Sequence, residues 1–183
     1  MTVNDDSSKE STECKGMQGS FDTPEQSRTK IRAIKMLGNR HLSSKEMGKR
    51  LVRKGESEEA AQETVKWLED IGAVNDVEYA EAIVRHYTSK GYGAARVRDE
   101  LYKRGIPREL WDDAIACIEK DESDEATHRF LERKLGDGSD KDDLKKTINA
   151  LCRRGFSYEE ARAAANKYLE TLGSTEKMSD AEG

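Results

Sequence analysis

The sequence predicts an all-α protein of three tandem three-helix repeats that form an elongated, curved array, with a disordered tail at each end. Three observations support this prediction. A motif of two basic residues followed by glycine recurs every fifty residues, and apolar residues recur at helical spacing. No segment shows the alternation of polar and apolar residues that is typical of a strand.

The repeated motif is Arg53-Lys54-Gly55, then Lys103-Arg104-Gly105, then Arg153-Arg154-Gly155. Leucine stands four residues before each glycine, and apolar residues stand 6, 10 and 13 residues after it. The glycine is a usual left-handed stop for the preceding helix, and the cations suit the negative end of its dipole. Each motif therefore predicts the end of a middle helix and the start of a third one.

The first repeat is expected over residues 27–74, after Pro24. Ser43 and Glu46 form a capping-box pattern at its middle helix, and Ser57 can cap its third helix. The unit is too small for a good core, so we expect each copy to bury its apolar stripe partly against the next.

The second repeat is expected over residues 75–121 and the third over residues 122–172. Asn75 or Asp76 can cap the first helix of repeat two, and Pro107 stands in the first turn of its third helix. In repeat three, Ser157 and Glu160 form a second capping box, at the start of its last helix. Trp67 and Trp111 fall at helical spacing and are expected in the cores.

The tails, residues 1–26 and 173–183, are polar, acidic and without period, and both are predicted to be disordered. The whole chain carries a net charge of −5, yet residues 28–172 carry about +1 and residues 28–75 about +4. A modest basic field of this kind suits an acidic partner or a phosphate backbone, without the strong footprint of a dedicated DNA-binding protein.

The cysteines, Cys14, Cys117 and Cys152, are odd in number and widely spaced, which disfavours a disulfide framework or a zinc site. Cys117 and Cys152 lie on apolar stretches and are expected to be buried. The amino terminus lacks an apolar signal region, and no run of 18 apolar residues exists for a membrane span. We therefore expect a cytoplasmic protein that does not interact with membranes.

The sequence favours a non-enzyme. The three histidines, His41, His86 and His128, are scattered, and the acidic residues between 137 and 143 lack the spacing of a calcium loop. No phosphate-binding loop or nucleophile elbow is present. We therefore expect no catalytic group, no cofactor and no metal.

Two features remain as candidate functional sites. The segment Lys90-Gly91-Tyr92-Gly93 is either a plain helix–helix turn or an exposed tyrosine, flanked by Arg96 and Arg98, that stacks on a base or fills a partner's pocket. The basic doublets either cap their helices or place basic pairs along one side of the array. The two interpretations of the doublets are compatible.

Four segments of the second repeat together resemble the signature of the RecX family, bacterial regulators of the RecA recombinase. These segments are Asn75-Asp76-Val77-Glu78-Tyr79-Ala80, Lys90-Gly91-Tyr92-Gly93, Arg96-Val97-Arg98-Asp99-Glu100-Leu101 and Lys103-Arg104-Gly105-Ile106, with Val84-Arg85 between the first two. Residues 151–158 are similar to the family's C-terminal repeat, and the first repeat is a looser match. The resemblance covers about residues 28–172.

The resemblance implies a monomer that binds RecA filaments on single-stranded DNA. It further implies inhibition of RecA's ATP hydrolysis, strand exchange and co-protease activity in recombination, DNA repair and the SOS response. Weak direct contact with DNA remains open. Signature and charge together select these contact residues: Arg53, Lys54, Lys90, Tyr92, Arg96, Arg98, Lys103, Arg104, Arg153 and Arg154.

Two other functions fit the same repeats. A stand-alone nucleic-acid-binding protein would use the positive first repeat, and its affinity would fall steeply with salt. A helical scaffold would instead bind a protein unrelated to RecA.

Overall fold

The computed structural model describes residues 23–38, 40–117, 120–136 and 140–179, with side chains for all of these except 120–123 and 173–179. Throughout these ranges the regular secondary structure is helical, which confirms the predicted fold class. Repeat one holds α1 (Pro24–Leu37), α2 (Ser44–Arg53) and α3 (Glu58–Asp70). Repeat two holds α4 (Asp76–Thr88), α5 (Ala94–Lys103) and α6 (Trp111–Ala116), and repeat three holds α7 (Lys120–Leu135), α8 (Lys141–Arg153) and α9 (Tyr158–Ser179).

Most helices begin at the residues that the sequence selects. The Ser57 hydroxyl accepts a hydrogen bond from the first turn of α3, and the Asn75 side chain accepts two from the first turn of α4. Ser157 and Glu160 form the predicted reciprocal box at α9. These bonds occupy backbone donors that a helix start otherwise leaves without partners.

Some boundaries differ from those expected. Helix α1 starts at Pro24, three residues before the expected boundary, because Thr23 and Gln26 form a complete capping box. Pro107 leads into a short 3-10 turn, Arg108–Leu110, rather than directly into α6. Helix α9 continues to Ser179, past the expected end of repeat three at residue 172. Residues 1–22 and 180–183 of the two tails lie outside the described residues.

Each repeat encloses an apolar core of its own, which corrects the expectation that neighbouring repeats share theirs. The leucine before each basic doublet, Leu51, Leu101 or Leu151, has 0% exposure at the centre of its core. The second and third helices of a repeat lie close enough to cover this leucine, so the small unit closes on itself. What joins one repeat to the next is therefore a separate set of contacts.

Four side chains that were expected to be buried differ in their exposure. Trp67 and Trp111 are half-buried and pack at the edges of their cores. Cys152 is half-buried, but Cys117 is exposed because α6 ends at Ala116 and leaves it on the following turn. The expectation that Cys117 is buried was wrong.

The first junction joins the start of α2 to repeat two. The Ser43 hydroxyl donates to the carbonyl of Arg104 (2.5 Å), in the basic turn that ends α5. Next to it, the backbone N–H and the hydroxyl of Ser44 donate to the two carboxylate oxygens of Asp76 (2.9 and 2.6 Å). The start of a middle helix is thus held by the basic turn of the following repeat.

The second junction repeats this arrangement at equivalent positions. The Gly93 N–H donates to the carbonyl of Arg154 (3.0 Å), and the Ala95 N–H donates to the carbonyl of Gly155 (3.1 Å). Ser43 and Arg104 are 61 residues apart in the chain, as are Gly93 and Arg154. The fifty-residue repeat in sequence is therefore matched by a repeated contact in space.

Glycine is required where the second junction brings two backbones together. A Cβ atom on Gly93 would lie 2.4 Å from the carbonyl carbon and oxygen of Gly155. A Cβ atom on Gly155, whose φ is +95°, would lie 2.4 Å from the backbone nitrogen of Arg96. The equivalent Gly55 has the same φ of +95°, but nothing described lies within 4 Å of its Cβ position.

This difference gives a matched test of the junction. Gly55→Ala should destabilise the protein by about 1–2 kcal/mol, the cost of a left-handed conformation for alanine. Gly155→Ala carries the same backbone cost and adds an overlap with Arg96, which is worth about 1–3 kcal/mol more. Urea unfolding followed by circular dichroism measures both. Equal losses in the two variants would show that the close contact does not stabilise the array.

Candidate partner-binding surface

The turn that ends α2 carries two cations that face outward. Arg53 and Lys54 are exposed, and neither forms an ion pair or a side-chain hydrogen bond with the described residues. Arg153, at the end of α8, is exposed and unpaired in the same way. Each follows a buried leucine within three residues, so the turn of the helix carries the cation away from the core. These side chains are available to a partner.

The second basic residue of repeat two has a different role. The guanidinium of Arg104 donates to the hydroxyl of Tyr79 (2.9 Å), and the Tyr79 ring stacks on His41 of repeat one (5.8 Å between centroids). The hydrogen bond to Tyr79 is the main reason that the pKa of Arg104 is raised above its usual value. Arg104 therefore belongs to the first junction through its side chain as well as its carbonyl.

Arg154 takes the equivalent position in the second junction. Its guanidinium donates to the backbone carbonyls of Lys90 (2.9 Å) and Gly91 (3.1 Å). The same group lies over two aromatic rings, 4.2 Å from the centroid of Phe130 and 5.1 Å from that of Tyr92. Arg154 thus connects repeats two and three, and a planar guanidinium suits this combination of stacking and hydrogen bonding.

Tyr92 is half-buried within this junction, although one sequence interpretation places it on the surface. Its ring also packs against Tyr87 (5.6 Å between centroids). Gly91, with a φ of +71°, ends the preceding helix as a turn requires, and the Lys90 ammonium lies 2.9 Å from a ring nitrogen of His86. The turn interpretation of this segment therefore describes its geometry, and the edge of Tyr92 still borders an open groove.

That groove has a volume of about 800 Å³ and lies between repeats two and three. Much of its lining is apolar and comes from Tyr92, Leu131, Phe156 and Tyr168. A groove of this size, between two units rather than within one, can accept side chains of a macromolecular partner.

The remaining candidates surround one buried carboxylate. Glu100, with a side chain only 9% exposed, lies 2.9 Å from the ammonium of Lys103 and 3.1 Å from the guanidinium of Arg96. The pKa of Glu100 is lowered, mainly by its hydrogen bond with Lys103. Burial of the carboxylate raises this pKa, and a hydrogen bond from Tyr87 lowers it further. Burial, followed by the bond to Glu100, raises the pKa of Tyr87.

Arg98 and Arg96 each form an ion pair with an acidic residue, and the two pairs differ in strength. Arg98 pairs with the highly exposed carboxylate of Asp112 at 3.5 Å, a weak surface contact that a partner can replace. Arg96 is held more firmly, by Glu100, and its Nε atom is buried without a hydrogen-bond partner. The guanidinium of Arg96 also lies 6.0 Å from the centroid of Tyr92, beside the second junction.

The candidates therefore fall into two groups. The junction group is Tyr92, Arg96, Arg104 and Arg154, and the outer group is Arg53, Lys54, Lys90, Arg98, Lys103 and Arg153. Sequence reasoning missed the junction roles of Ser43, Tyr79 and Phe130. Comparison of equivalent positions could have found the first, because Ser43 and Gly93 occupy the same place in successive repeats.

The described residues contain neither a metal-binding cluster nor a membrane-spanning helix. Within them, no group of three or more His, Cys, Asp or Glu side chains could hold a metal ion. The helices in the same ranges include none that is long and apolar enough to cross a membrane.

Comparisons with known proteins agree with the repeat architecture. Residues 75–115 match the family model described as "RecX, second three-helix domain". The chain is 34% identical over 141 residues to the "Regulatory protein RecX" of Xanthomonas axonopodis pv. citri (strain 306), covering 76% of this chain and 86% of the relative. A protein of the same name from Stenotrophomonas maltophilia (strain R551-3) is 33% identical over 135 residues, covering 73% of this chain and 82% of the relative.

Solved structures show the same fold. The crystal structure of RecX from Lactobacillus salivarius matches with a TM-score of 0.71 at 22% identity, over 81% of this chain and 97% of that one. A second structure, described as a crystal structure of regulatory protein RecX, matches with a TM-score of 0.66 at 19% identity, over 78% of this chain and 72% of that one.

Arg153 and Arg154, adjacent in sequence, should respond differently to alanine. Arg154→Ala removes two hydrogen bonds to carbonyls and two ring contacts, and it should lower the free energy of unfolding by about 2 kcal/mol. Arg153→Ala removes an exposed, unpaired side chain and should change it by less than about 0.5 kcal/mol. Urea unfolding of both variants is the measurement. A loss at Arg153 as large as that at Arg154 would contradict the assignment of the two positions.

Glu100→Gln should destabilise the protein in a pH-dependent way. Because the pKa of Glu100 is lowered in the folded state, its carboxylate contributes stability above the ordinary pKa of glutamate. That contribution is lost as pH falls below about 4. The variant should be about 1–3 kcal/mol less stable at neutral pH and should approach wild-type stability in acid. Thermal unfolding across this pH range measures the difference, and a deficit that is constant with pH would refute the role of the charge.

Proposed function

The chain belongs to the RecX family of regulatory proteins, and from this premise we propose that it binds RecA filaments on single-stranded DNA and inhibits RecA. The inhibited activities are ATP hydrolysis, strand exchange and co-protease activity. The observation that carries the proposal is the 34% identity over 141 residues to a regulatory protein RecX, since it spans 86% of that relative. The protein itself performs no chemistry in this mechanism.

The repeated junction supports a role on a filament. A filament presents the same surface at regular intervals, and a binding protein made of equivalent units can contact successive subunits. Hydrogen bonds from Ser43 and Gly93 to the following repeat hold these units in a defined relation. A protein that binds one filament geometry more tightly than another stabilises it and slows the cycling that ATP hydrolysis needs.

The two groups of residues have separate roles in this proposal. The outer cations contact acidic groups on the filament, either carboxylates of RecA or DNA phosphates. The junction group sets the spacing between those cations and lines the groove beside Tyr92. A partner can also displace Asp112 from Arg98, because an exposed pair of this kind contributes little by itself.

Stand-alone binding to nucleic acid is the weaker alternative. Several phosphates would have to be neutralised at once by free cations. Arg96 and Lys103 already have Glu100 as a partner, and Arg104 and Arg154 are held in the junctions. Fewer cations are therefore available than the sequence suggests.

The proposal is tested by titrating the protein into RecA's single-stranded-DNA-dependent ATP hydrolysis, below the RecA concentration. We expect inhibition by the wild-type protein, and a half-inhibiting concentration about 5–30 times higher for the double variant Arg53→Ala/Arg153→Ala. This shift corresponds to about 1–2 kcal/mol for two exposed contacts.

The matched control is Lys35→Ala/Lys141→Ala, which removes two exposed cations outside the doublets and should inhibit like the wild type. Circular dichroism verifies that every variant is folded. If the folded wild-type protein fails to inhibit its cognate RecA at equimolar concentration, the proposed function is wrong. Equal inhibition by both double variants would remove Arg53 and Arg153 from the contact surface.

A further inference from the structure

Repeat one carries an open groove between α2 and α3 that the proposed function does not use. Its volume is about 620 Å³. Ala61 and Val65 of α3 and Val52 of α2 form its apolar part, and Val52 is 41% exposed. An exposed apolar strip between two helices is a surface that a peptide segment can cover.

Two residues that line the groove differ from their equivalents in repeat two. There, Arg98 of α5 reaches across to Asp112 of the next helix and forms an ion pair at 3.5 Å. Fifty residues earlier, the same positions hold Gly48 and Gln62, which both line the groove. Because Gly48 has no side chain, nothing from α2 bridges the groove at this point.

The rim of the groove is basic. Lys45 and Lys49 of α2 and Lys66 of α3 line it, and none has an ion-pair partner among the described residues. Two acids, Glu58 and Glu69, line it as well, near the two ends of α3. Long lysine stems can cover the side of an apolar ligand while their ammonium groups contact its carboxylates. The chemistry therefore fits an acidic segment with an apolar anchor.

The chain itself contains such a segment within reach. Residues 1–22 carry five acids and two lysines, a net charge of −3, and include the apolar Met17. The described chain begins at Thr23, and the first turn of α1 contacts α3, where the Gln26 amide donates to Glu63 (3.1 Å). Glu63 is the neighbour in sequence of Gln62, which lines the groove.

The length of the segment is sufficient. Met17 lies six positions before Thr23, a distance along the chain that can span about 20 Å, whereas a helix with its side chains is about 10–12 Å across. Met17 can therefore pass around α3 to the apolar strip, and the acids that precede it can extend along the lysines. Attachment to the same chain makes the effective concentration of the segment high.

We infer that the groove between α2 and α3 binds the acidic N-terminal segment of the same chain, residues 1–22, through Lys45, Lys49 and Lys66 and the apolar strip beside Gly48. The inference does not depend on RecA. The segment covers cations of repeat one, so it competes with any other acidic partner for that surface.

The test is carbodiimide coupling, which joins carboxylates to lysines in direct contact, on the dilute full-length protein at low salt. Mass spectrometry should find links from residues 1–22 to Lys45, Lys49 or Lys66. The exposed lysines Lys35 and Lys141 are internal controls and should show few such links. The links should weaken as salt is raised, because salt screens exposed charges.

The variant Gly48→Arg/Gln62→Asp places the bridge of repeat two in the groove without changing its net charge. The links to the groove lysines should decrease in this variant, because the introduced side chains cover the apolar strip, although all three lysines are still present. Circular dichroism verifies its fold. If the variant is unfolded, Gly48→Gln, which is neutral and fills the same space, replaces it in the same assay.

Three results would overturn the inference. Links distributed equally over groove and control lysines would show that the segment has no fixed site. Links that persist in the folded variant would show that the open groove is not the site. Links between isotopically light and heavy chains in a mixture would show that the occupant comes from a second molecule.

Discussion

The array depends on the contact between the basic turn of one repeat and the start of the middle helix in the repeat before it. Each repeat has its own core, so apolar packing within a repeat fixes nothing about its neighbour. Carbonyls of Arg104, Arg154 and Gly155 accept the hydrogen bonds that define the two junctions. A carbonyl at a helix end is free to accept because the helix leaves it without an internal partner. Helix termination and repeat assembly thus use the same few backbone groups.

Because the basic turn both ends a helix and joins two repeats, the two residues of a doublet have different roles. The turn that presents its carbonyl to the neighbouring repeat also places the second side chain of the doublet at the junction. Arg104 donates to Tyr79, whose ring stacks on His41 of repeat one, and Arg154 donates to the carbonyls of Lys90 and Gly91 in repeat two. The first side chain of the doublet is one residue earlier, about 100° around the helix, and faces solvent. In repeat three one short motif therefore supplies a structural cation, Arg154, and an unpaired one, Arg153, whereas Lys103 of repeat two pairs with Glu100. Charge counting alone overestimates the surface available to a partner.

The sequence predicts the parts of the fold that are decided locally. Helix ends at Gly55, Gly105 and Gly155 follow from backbone conformation, and caps at Ser57 and Asn75 follow from a single side chain and its own helix. Contacts between residues 61 positions apart cannot be predicted from the residues next to them in the sequence. For that reason the sequence predicts that Ser43 caps α2 but not that its hydroxyl also donates to the carbonyl of Arg104. The sequence also does not predict that the side chain of Arg154 points toward the carbonyls of Lys90 and Gly91, because these residues are more than 60 positions away.

The two ends of the array differ in what they leave free. Nothing described lies within 4 Å of the Cβ position of Gly55, and both Arg53 and Lys54 are exposed, whereas the turns of the later repeats each commit one cation to a junction. The open groove, with three unpaired lysines, lies in the same first repeat. Repeat one therefore presents an accessible basic surface. It is also the unit directly attached to the acidic segment 1–22, so binding of any acidic partner there competes with the chain's own carboxylates.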